Sequence, residues 1–435
     1  MNKLRLPLTA QLELTYECNY RCQHCYLLDS ERNDQKAESP DEKVMEIARR
    51  LVGAGVFNVI LTGGEPLTRP DLLKRLIGYL DSQRVNVMVN TNLSLLTEDM
   101  LQCFLEHHVR NILVSCPSGL PGEYNEITKT HSAKVFERKL RMLSASGQRY
   151  SINMVVNQLN KHSVIATAMF VKSCGCHNFG ATPMALNPLY PRKDLLLSKE
   201  EVRQLLTDLK WIHEELGMNI DVMEALPKCA IPDEMVRDDI YFTKRKCQAG
   251  ITVCAVSPDG DVRPCTHNTR SYGNILDTPL EDIWDSMREW RDMSLVPAGC
   301  KKCKLLARCQ GGCRINALTM HGRMDADDIW TQHDHECPMV KVPEVKDLPA
   351  EMELAVTPAG LRVRPEKDGM FMVCGSNGRQ AAYVSGEVVK LLDLIQEAGK
   401  MSVSEIAALG DMKPTDNQVQ EILRHLTGRR ILRRA

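Results

Sequence analysis

Cys18, Cys22 and Cys25 stand in one short run, Cys18-Asn19-Tyr20-Arg21-Cys22-Gln23-His24-Cys25, directly after an apolar segment, Leu12 to Tyr16. Four-iron clusters are normally held by four thiolates, so a compact triplet points to a cluster with one iron open to another ligand. Zinc would want a fourth protein ligand close by, and structural zinc sites favour CxxC pairs. A second group of thiols follows far down the chain: Cys247, Cys254 and Cys265, then Cys300, Cys303, Cys309 and Cys313, and finally Cys337. Eight thiolates suit two four-iron clusters with no open position, or a pair of four-cysteine zinc sites. Between the two groups lies Thr62-Gly63-Gly64-Glu65-Pro66. Its glycines permit close backbone approach and positive φ, and its carboxylate can receive an ammonium group. Alone, it reads as a tight turn between a strand and a helix.

These residues need a scaffold, and the pattern of residues 10–185 supplies one. Short apolar strands are predicted at Gln11–Tyr16, Asn58–Leu61, Val85–Asn90, Asn111–Cys116, Ser151–Val156 and Asn178–Met184. Amphipathic helices fall between them; Val44, Ile47, Ala48 and Leu51 follow the i, i+3, i+4, i+7 spacing after a capping box, Ser39-Pro40-Asp41-Glu42. Six strand–helix repeats imply an α/β fold with a parallel sheet and right-handed crossovers. The cysteine triplet and the Gly-Gly-Glu turn then sit at carboxyl ends of strands, where such folds do chemistry. Ser198 to Gly217 reads as a long capped helix leading out of the sheet, with Val202, Leu205, Leu209 and Ile212 as its face.

Bulk numbers exclude several classes. The net charge of −1 gives no reason to expect nucleic acid or a membrane surface. No apolar run approaches the roughly 20 residues of a membrane span, and Met1 to Leu14 lacks the apolar core of a signal peptide. Seventeen cysteines without an export signal read as metal ligands in a reducing compartment, so a cytoplasmic location is expected.

CxxxCxxC after a first strand, with Gly63-Gly64-Glu65 after the second, resembles the signature of radical S-adenosylmethionine (radical SAM) enzymes. That resemblance implies a partial (β/α)6 barrel. It also implies a [4Fe–4S] cluster on Cys18, Cys22 and Cys25 whose open iron chelates SAM, with Gly63, Gly64 and Glu65 binding the methionine amine. By the same likeness, Thr91, Asn92 and Ser94 are candidates for the ribose hydroxyls, and Ser115 for a further SAM contact. The spacing from Cys247 to Cys337 resembles the SPASM domain of peptide-modifying members. This implies two auxiliary [4Fe–4S] clusters, one on Cys247, Cys254, Cys265 and Cys313, the other on Cys300, Cys303, Cys309 and Cys337. Cofactors are thus SAM and three [4Fe–4S] clusters. Sulfatase-maturing relatives carry an aspartate base after the third auxiliary cysteine; here Thr266-His267 follows Cys265, so no catalytic residue is assigned. Cys103, Cys116, Cys174, Cys176, Cys229 and Cys374 read as buried small apolar residues.

The tail is predicted as three strands, Leu361–Arg364, Met370–Cys374 and Ala381–Val384, then helices at about 386–398, 403–409 and 416–426. Capping boxes are expected at Ser402…Glu405 and Thr415…Gln418. The order resembles a winged-helix RiPP recognition element, which captures the leader of a ribosomally made precursor peptide as an added strand. The third helix shows no basic face for DNA. The expected organisation is a barrel with bridging helix at 1–220, a SPASM domain at 221–345 and a winged helix at 350–435. The implied reaction is reductive cleavage of SAM to a 5′-deoxyadenosyl radical that abstracts hydrogen from a precursor peptide, leading to a thioether or C–C crosslink or a related modification. Expected partners are the precursor peptide and an electron donor such as flavodoxin or ferredoxin. The alternative is a radical SAM enzyme acting on a small molecule such as a tetrapyrrole.

Overall fold

The computed structural model describes residues 4–27, 38–238, 244–333, 338, 340–341, 346–358, 360–375 and 381–435. Seven strands follow one another between helices: β1 (Thr9–Glu13), β2 (Asn58–Thr62), β3 (Asn86–Thr91), β4 (Asn111–Ser115), β5 (Tyr150–Val156), β6 (Asn178–Pro183) and β7 (Asn219–Asp221). Each runs parallel to the next. Two more strands, β8 (Val253–Val256) and β9 (Val262–Arg263), join on the far side of β1, giving the order β7-β6-β5-β4-β3-β2-β1-β8-β9. β8 is parallel to β1 and β9 folds back antiparallel. The six expected strands are present; β7, β8 and β9 extend the sheet at both edges.

Helices cover the outer face. The helix Asp41–Gly53 buries Val44, Ile47, Ala48 and Leu51 completely, the face its spacing predicts. Its expected capping box does not form: Pro40 is the N-cap, with no side-chain bond. Ser39 sits one residue outside the cap and donates instead to Asp259, 2.6 Å away in the turn between β8 and β9. The Ser198–Glu201 capping box is made, and its helix runs from Lys199 to Leu216. None of the described helices is long and apolar enough to cross a membrane.

The tail has its own core, with Leu354, Val373, Ile395, Leu423 and Leu432 buried together. After β10 (Glu353–Val356) come β11 (Leu361–Pro365), β12 (Met370–Gly375) and β13 (Ala382–Ser385), paired antiparallel in that order. Helices follow at Gly386–Ala398, Val403–Ala408 and Asn417–Gly428, and β10 pairs with two short strands, β14 (Met401–Ser402) and β15 (Leu432–Arg434). Ser402 and Glu405 form their capping box. Thr415 does not cap the last helix, because Asp416 takes the N-cap position and its carboxylate accepts from the Lys413 N–H.

Two arginines of β11 fasten the tail to the sheet: Arg362 donates to the Val56 carbonyl at 3.0 Å, and Arg364 makes the more deeply buried set. Arg364 of β11 is buried and donates to the carbonyls of Leu6 (3.0 Å), Pro7 (2.8 Å) and Gly55 (3.2 Å), while Glu366 accepts from its Nε at 2.7 Å. Arg362 and Arg364 both lie over the ring of Phe57. Phe57 packs with Leu4, Met372 and Cys374 in a small separate core. Leu6, Pro7, Gly55 and Phe57 immediately precede β1 and β2. The tail therefore docks at the amino ends of these strands, opposite the cysteine loop.

Candidate functional site

The loop after β1 carries Cys18, Cys22 and Cys25, all partly buried. Its position is set by Gly63 and Gly64. Gly64 N–H donates to the Thr15 carbonyl and Glu65 N–H to the Glu17 carbonyl, both at 2.8 Å, so the turn after β2 pairs with the chain leading into Cys18. A Cβ on Gly64 would lie 1.9 Å from the Glu17 oxygen, and one on Gly63 (φ +135°) 2.5 Å from that of Thr15. Only glycine lets these two backbones approach so closely. Around the first thiol, Tyr20 N–H points to Cys18 Sγ at 3.4 Å and the Asn92 amide at 3.9 Å. Three thiols in one loop, the first of them facing two N–H donors, fit an iron–sulfur cluster with one open iron.

Glu65 is 1% exposed, and three protein donors occupy its carboxylate: Thr91 Oγ1 and Asn92 N–H at 2.7 Å and Leu67 N–H at 3.0 Å. Burial pushes its carboxyl up to about 7 despite these bonds. The carboxylate thus ties the end of β2 to the end of β3. Thr91 spends its hydroxyl there, and Asn92 reaches Asn19 of the cysteine loop at 2.9 Å. Ser94 accepts from the Asn19 amide at 2.8 Å and donates to Asn92 Oδ1. Ser115 ends β4 in register with Asn153 of β5. A narrow cleft brings Ser115 and Asn153 together with Cys22, His24 and Asn92. All seven residues predicted to contact SAM therefore line or brace the carboxyl ends of β2 to β4, beside the cysteine loop.

The auxiliary thiols separate into two places. Cys247 lies close enough to Cys265 and Cys313 to act on both electrostatically, and burial pushes Cys247 up to about 11 and Cys265 to about 12. Glu224 stands beside Cys313, and burial raises its pKa. Beside them Asp328, 3% exposed, accepts from the N–H groups of Cys313 (2.9 Å) and Trp330 (3.0 Å) and is pushed up to about 7 by burial. Cys254 is not brought to this group. It lies on β8 opposite Ala10, fully buried in the apolar core with Leu12 and Val256, and burial alone pushes its thiol up to about 12. Strand alternation explains this, since side chains two apart share a face.

Cys300, Cys303 and Cys309 border a cavity of about 260 Å³, with Cys229 among its walls. Cys337, expected as their fourth partner, lies outside the described residues. A tetrahedral zinc ion with 2.3 Å bonds would hold its sulfurs about 3.8 Å apart. Among the described residues no three thiols lie within 4.8 Å of one another; the one set that meets this limit is Cys300, Asp327 and His333. Thiols spread around a cavity fit a cluster better than a lone ion.

Two contacts were not anticipated, the first of them buried. Glu13 of β1 pairs with Arg263 of β9, with the side chains 0% and 5% exposed. Tyr26, just past the triplet, stacks on His267 with ring centroids 4.7 Å apart and planes 17° apart. Burial lowers His267 to about 4, so its imidazole is neutral at pH 7. The sequence signal for His267 was its place two residues after Cys265; nothing in the sequence marks Glu13, Glu224 or Cys229.

Residues 12–171 match the model of the radical SAM superfamily, and residues 247–311 that of the SPASM iron–sulfur cluster-binding domain. AdoMet-dependent heme synthase of Nitratidesulfovibrio vulgaris is 24% identical over 341 residues, covering 73% of this chain and 89% of the relative. Its counterpart in Oleidesulfovibrio alaskensis is 25% identical over 350 residues, covering 73% and 84%. Among solved structures, Streptococcus suis SuiB bound to precursor peptide SuiA superposes with a TM-score of 0.63 at 19% identity, covering 78% of this chain and 77% of that one. Native anSMEcpe with bound AdoMet and the Cp18Cys peptide gives 0.59 at 18%, covering 74% and 93%. These likenesses show a shared fold.

Proposed function

Taking as premise that the chain is a radical SAM enzyme with a SPASM domain, we propose that it modifies a ribosomally made precursor peptide, forming a thioether or C–C crosslink or a related change. The observation that carries this reading is the tail. β13 pairs with β12 on one side, and among the described residues no strand pairs with the other. An extended leader can add there through main-chain hydrogen bonds, and the docked tail would raise the local concentration of the attached core peptide. The fold shared with SuiB, solved with its precursor peptide, supports the same reading.

Cys18, Cys22 and Cys25 would hold the cluster that, when bound and reduced, splits SAM into methionine and a 5′-deoxyadenosyl radical. The chain's own residues do the positioning. Gly63 and Gly64 bring the turn after β2 against the cysteine loop, and Glu65 holds Thr91 and Asn92 beside it. Ser115 and Asn153 close the cleft next to Cys22. Cys247, Cys265 and Cys313 would hold one auxiliary cluster; Cys300, Cys303 and Cys309 belong to the other. Flavodoxin or ferredoxin would supply electrons.

Co-expression with a small peptide encoded beside the enzyme, followed by mass spectrometry, tests the reading. A mass loss of about two hydrogens, or another defined change dependent on Cys18, Cys22 and Cys25, is expected. An unmodified peptide together with turnover of a tetrapyrrole would overturn it. That second reading is favoured by one observation, the heme synthases that match 73% of this chain.

A further inference from the structure

The second auxiliary site has a fourth thiol that the cysteine-rich stretch does not contain. Cys229 lies in a 3-10 turn, Lys228–Ala230, after β7 and 18 residues before Cys247. Arg203 of the long helix holds this turn by donating to the carbonyls of Ala230 (3.3 Å) and Cys229 (3.4 Å). Lys228 adds a second clamp, its ammonium donating to the Arg245 carbonyl at 2.7 Å. The turn thereby presents Cys229 to the same cavity of about 260 Å³ that Cys300, Cys303 and Cys309 border.

Two of the four sulfurs accept backbone N–H groups. Gln332 N–H donates to Cys229 Sγ at 3.2 Å and Lys228 N–H to Cys309 Sγ at 3.4 Å. Backbone N–H groups aimed at sulfur stabilise it as an anion and tune a cluster's potential. Cys229, Cys300, Cys303 and Cys309 all line this one cavity. Four sulfurs around one cavity match the four-thiolate set that a [4Fe–4S] cluster takes. His333 closes the mouth over Gly299, where any Cβ would meet the imidazole at 2.3 Å.

We propose that Cys229 is the fourth thiolate ligand of the second auxiliary cluster, completing the set Cys229, Cys300, Cys303 and Cys309. This rests on the cluster reading given above and replaces Cys337 in the ligand set. The ligand then comes from the segment joining the sheet to the cysteine-rich region, so filling the cluster pins that joint.

The test uses full-length protein carrying Cys18→Ala, Cys22→Ala and Cys25→Ala, so that the auxiliary clusters alone remain. This background should hold about eight irons and eight sulfides per chain. Adding Cys229→Ala should lower both to about four, as should adding Cys300→Ala, whereas adding Cys337→Ala should leave about eight. Cys229→Ser guards against simple misfolding: an oxygen ligand should keep the iron but shift the Mössbauer and EPR parameters of one cluster. Retention of eight irons by Cys229→Ala, or a Cys229→Ser spectrum identical to the background, would overturn the assignment. So would loss of one cluster from Cys337→Ala with Cys229→Ala unaffected. A background protein holding zinc and no iron would overturn the cluster reading itself, and the assignment with it.

Discussion

Arg364→Ala should detach the tail from the barrel without unfolding either. The wild-type guanidinium serves three backbone carbonyls, those of Leu6, Pro7 and Gly55, and pairs with the buried Glu366. Removing one member of a buried, hydrogen-bonded ion pair costs about 3–5 kcal/mol, because the remaining charge is left without its partner. Glu366 would keep the Arg5 N–H at 2.7 Å, so the lower end of that range applies. Undocking relieves the cost by returning Glu366 and the carbonyls to water. The small apolar contact of Leu4, Phe57, Met372 and Cys374 and the Arg362 bonds to the Val56 and Phe57 carbonyls oppose it. A change of 3 kcal/mol moves the docked-to-undocked ratio by about 10²-fold. The tail's own core contains none of these four side chains, so its fold should persist. Small-angle scattering reads the outcome: a compact chain of this length has a radius of gyration near 22 Å, and a released tail should add several ångströms. Hydrogen exchange should speed up at residues 4–9 and 55–58 and stay slow within the tail's helices. Arg364→Lys should behave nearly as badly, since an ammonium cannot reproduce the planar fork. An unchanged radius and unchanged exchange in Arg364→Ala would refute the claim that this arginine fastens the two parts.

Further outcomes follow from the site. Gly64→Ala places a Cβ 1.9 Å from the Glu17 carbonyl; it should displace the cysteine loop, lowering iron by about a third and 5′-deoxyadenosine formation by at least about 10²-fold. Glu65 has a folded value of about 7 against an ordinary 4.5. Its contribution to stability is whole below 4.5 and lost as pH rises through 7, a difference of about 3 kcal/mol. Glu65→Gln should therefore flatten the fall in melting temperature between pH 5 and 8, and an unaltered slope would count against the burial argument. Glu224→Gln should change the EPR signal of one auxiliary cluster while iron content stays within about 10%. A spectrum matching wild type would remove Glu224 from that site.

Much of the barrel was readable because β1 to β6 are short apolar runs separated by helices with clear faces, as Val44 to Leu51 illustrate. Local capping was less readable. Ser39 left its helix for Asp259, a partner 220 positions away that only the folded sheet brings close. β8 and β9 are short and lie beside β1, so neither length nor local pattern announced them. Cys254 falls in step with Cys247 and Cys265 in the sequence, and its strand sets it opposite Ala10 in the core that also holds Leu12 and Val256. Cys229 shows the converse. It stands far from the cysteine-rich stretch, and it meets Cys300, Cys303 and Cys309 through the turn that Arg203 clamps. Glu65 was legible in position but not in orientation, because its donors Thr91 and Asn92 come from the next strand.

Docking the tail at the amino ends of β1 and β2 dictates a minimum tether length for any substrate captured on β13. A five-residue strand rises about 17 Å, and the turns above and below bring the path from one end of the barrel to the other to about 30 Å. An extended chain covers about 3.3 Å per residue. Roughly nine residues must separate the captured stretch from the reacting one, so precursors with shorter spacers would be held fast yet remain out of reach.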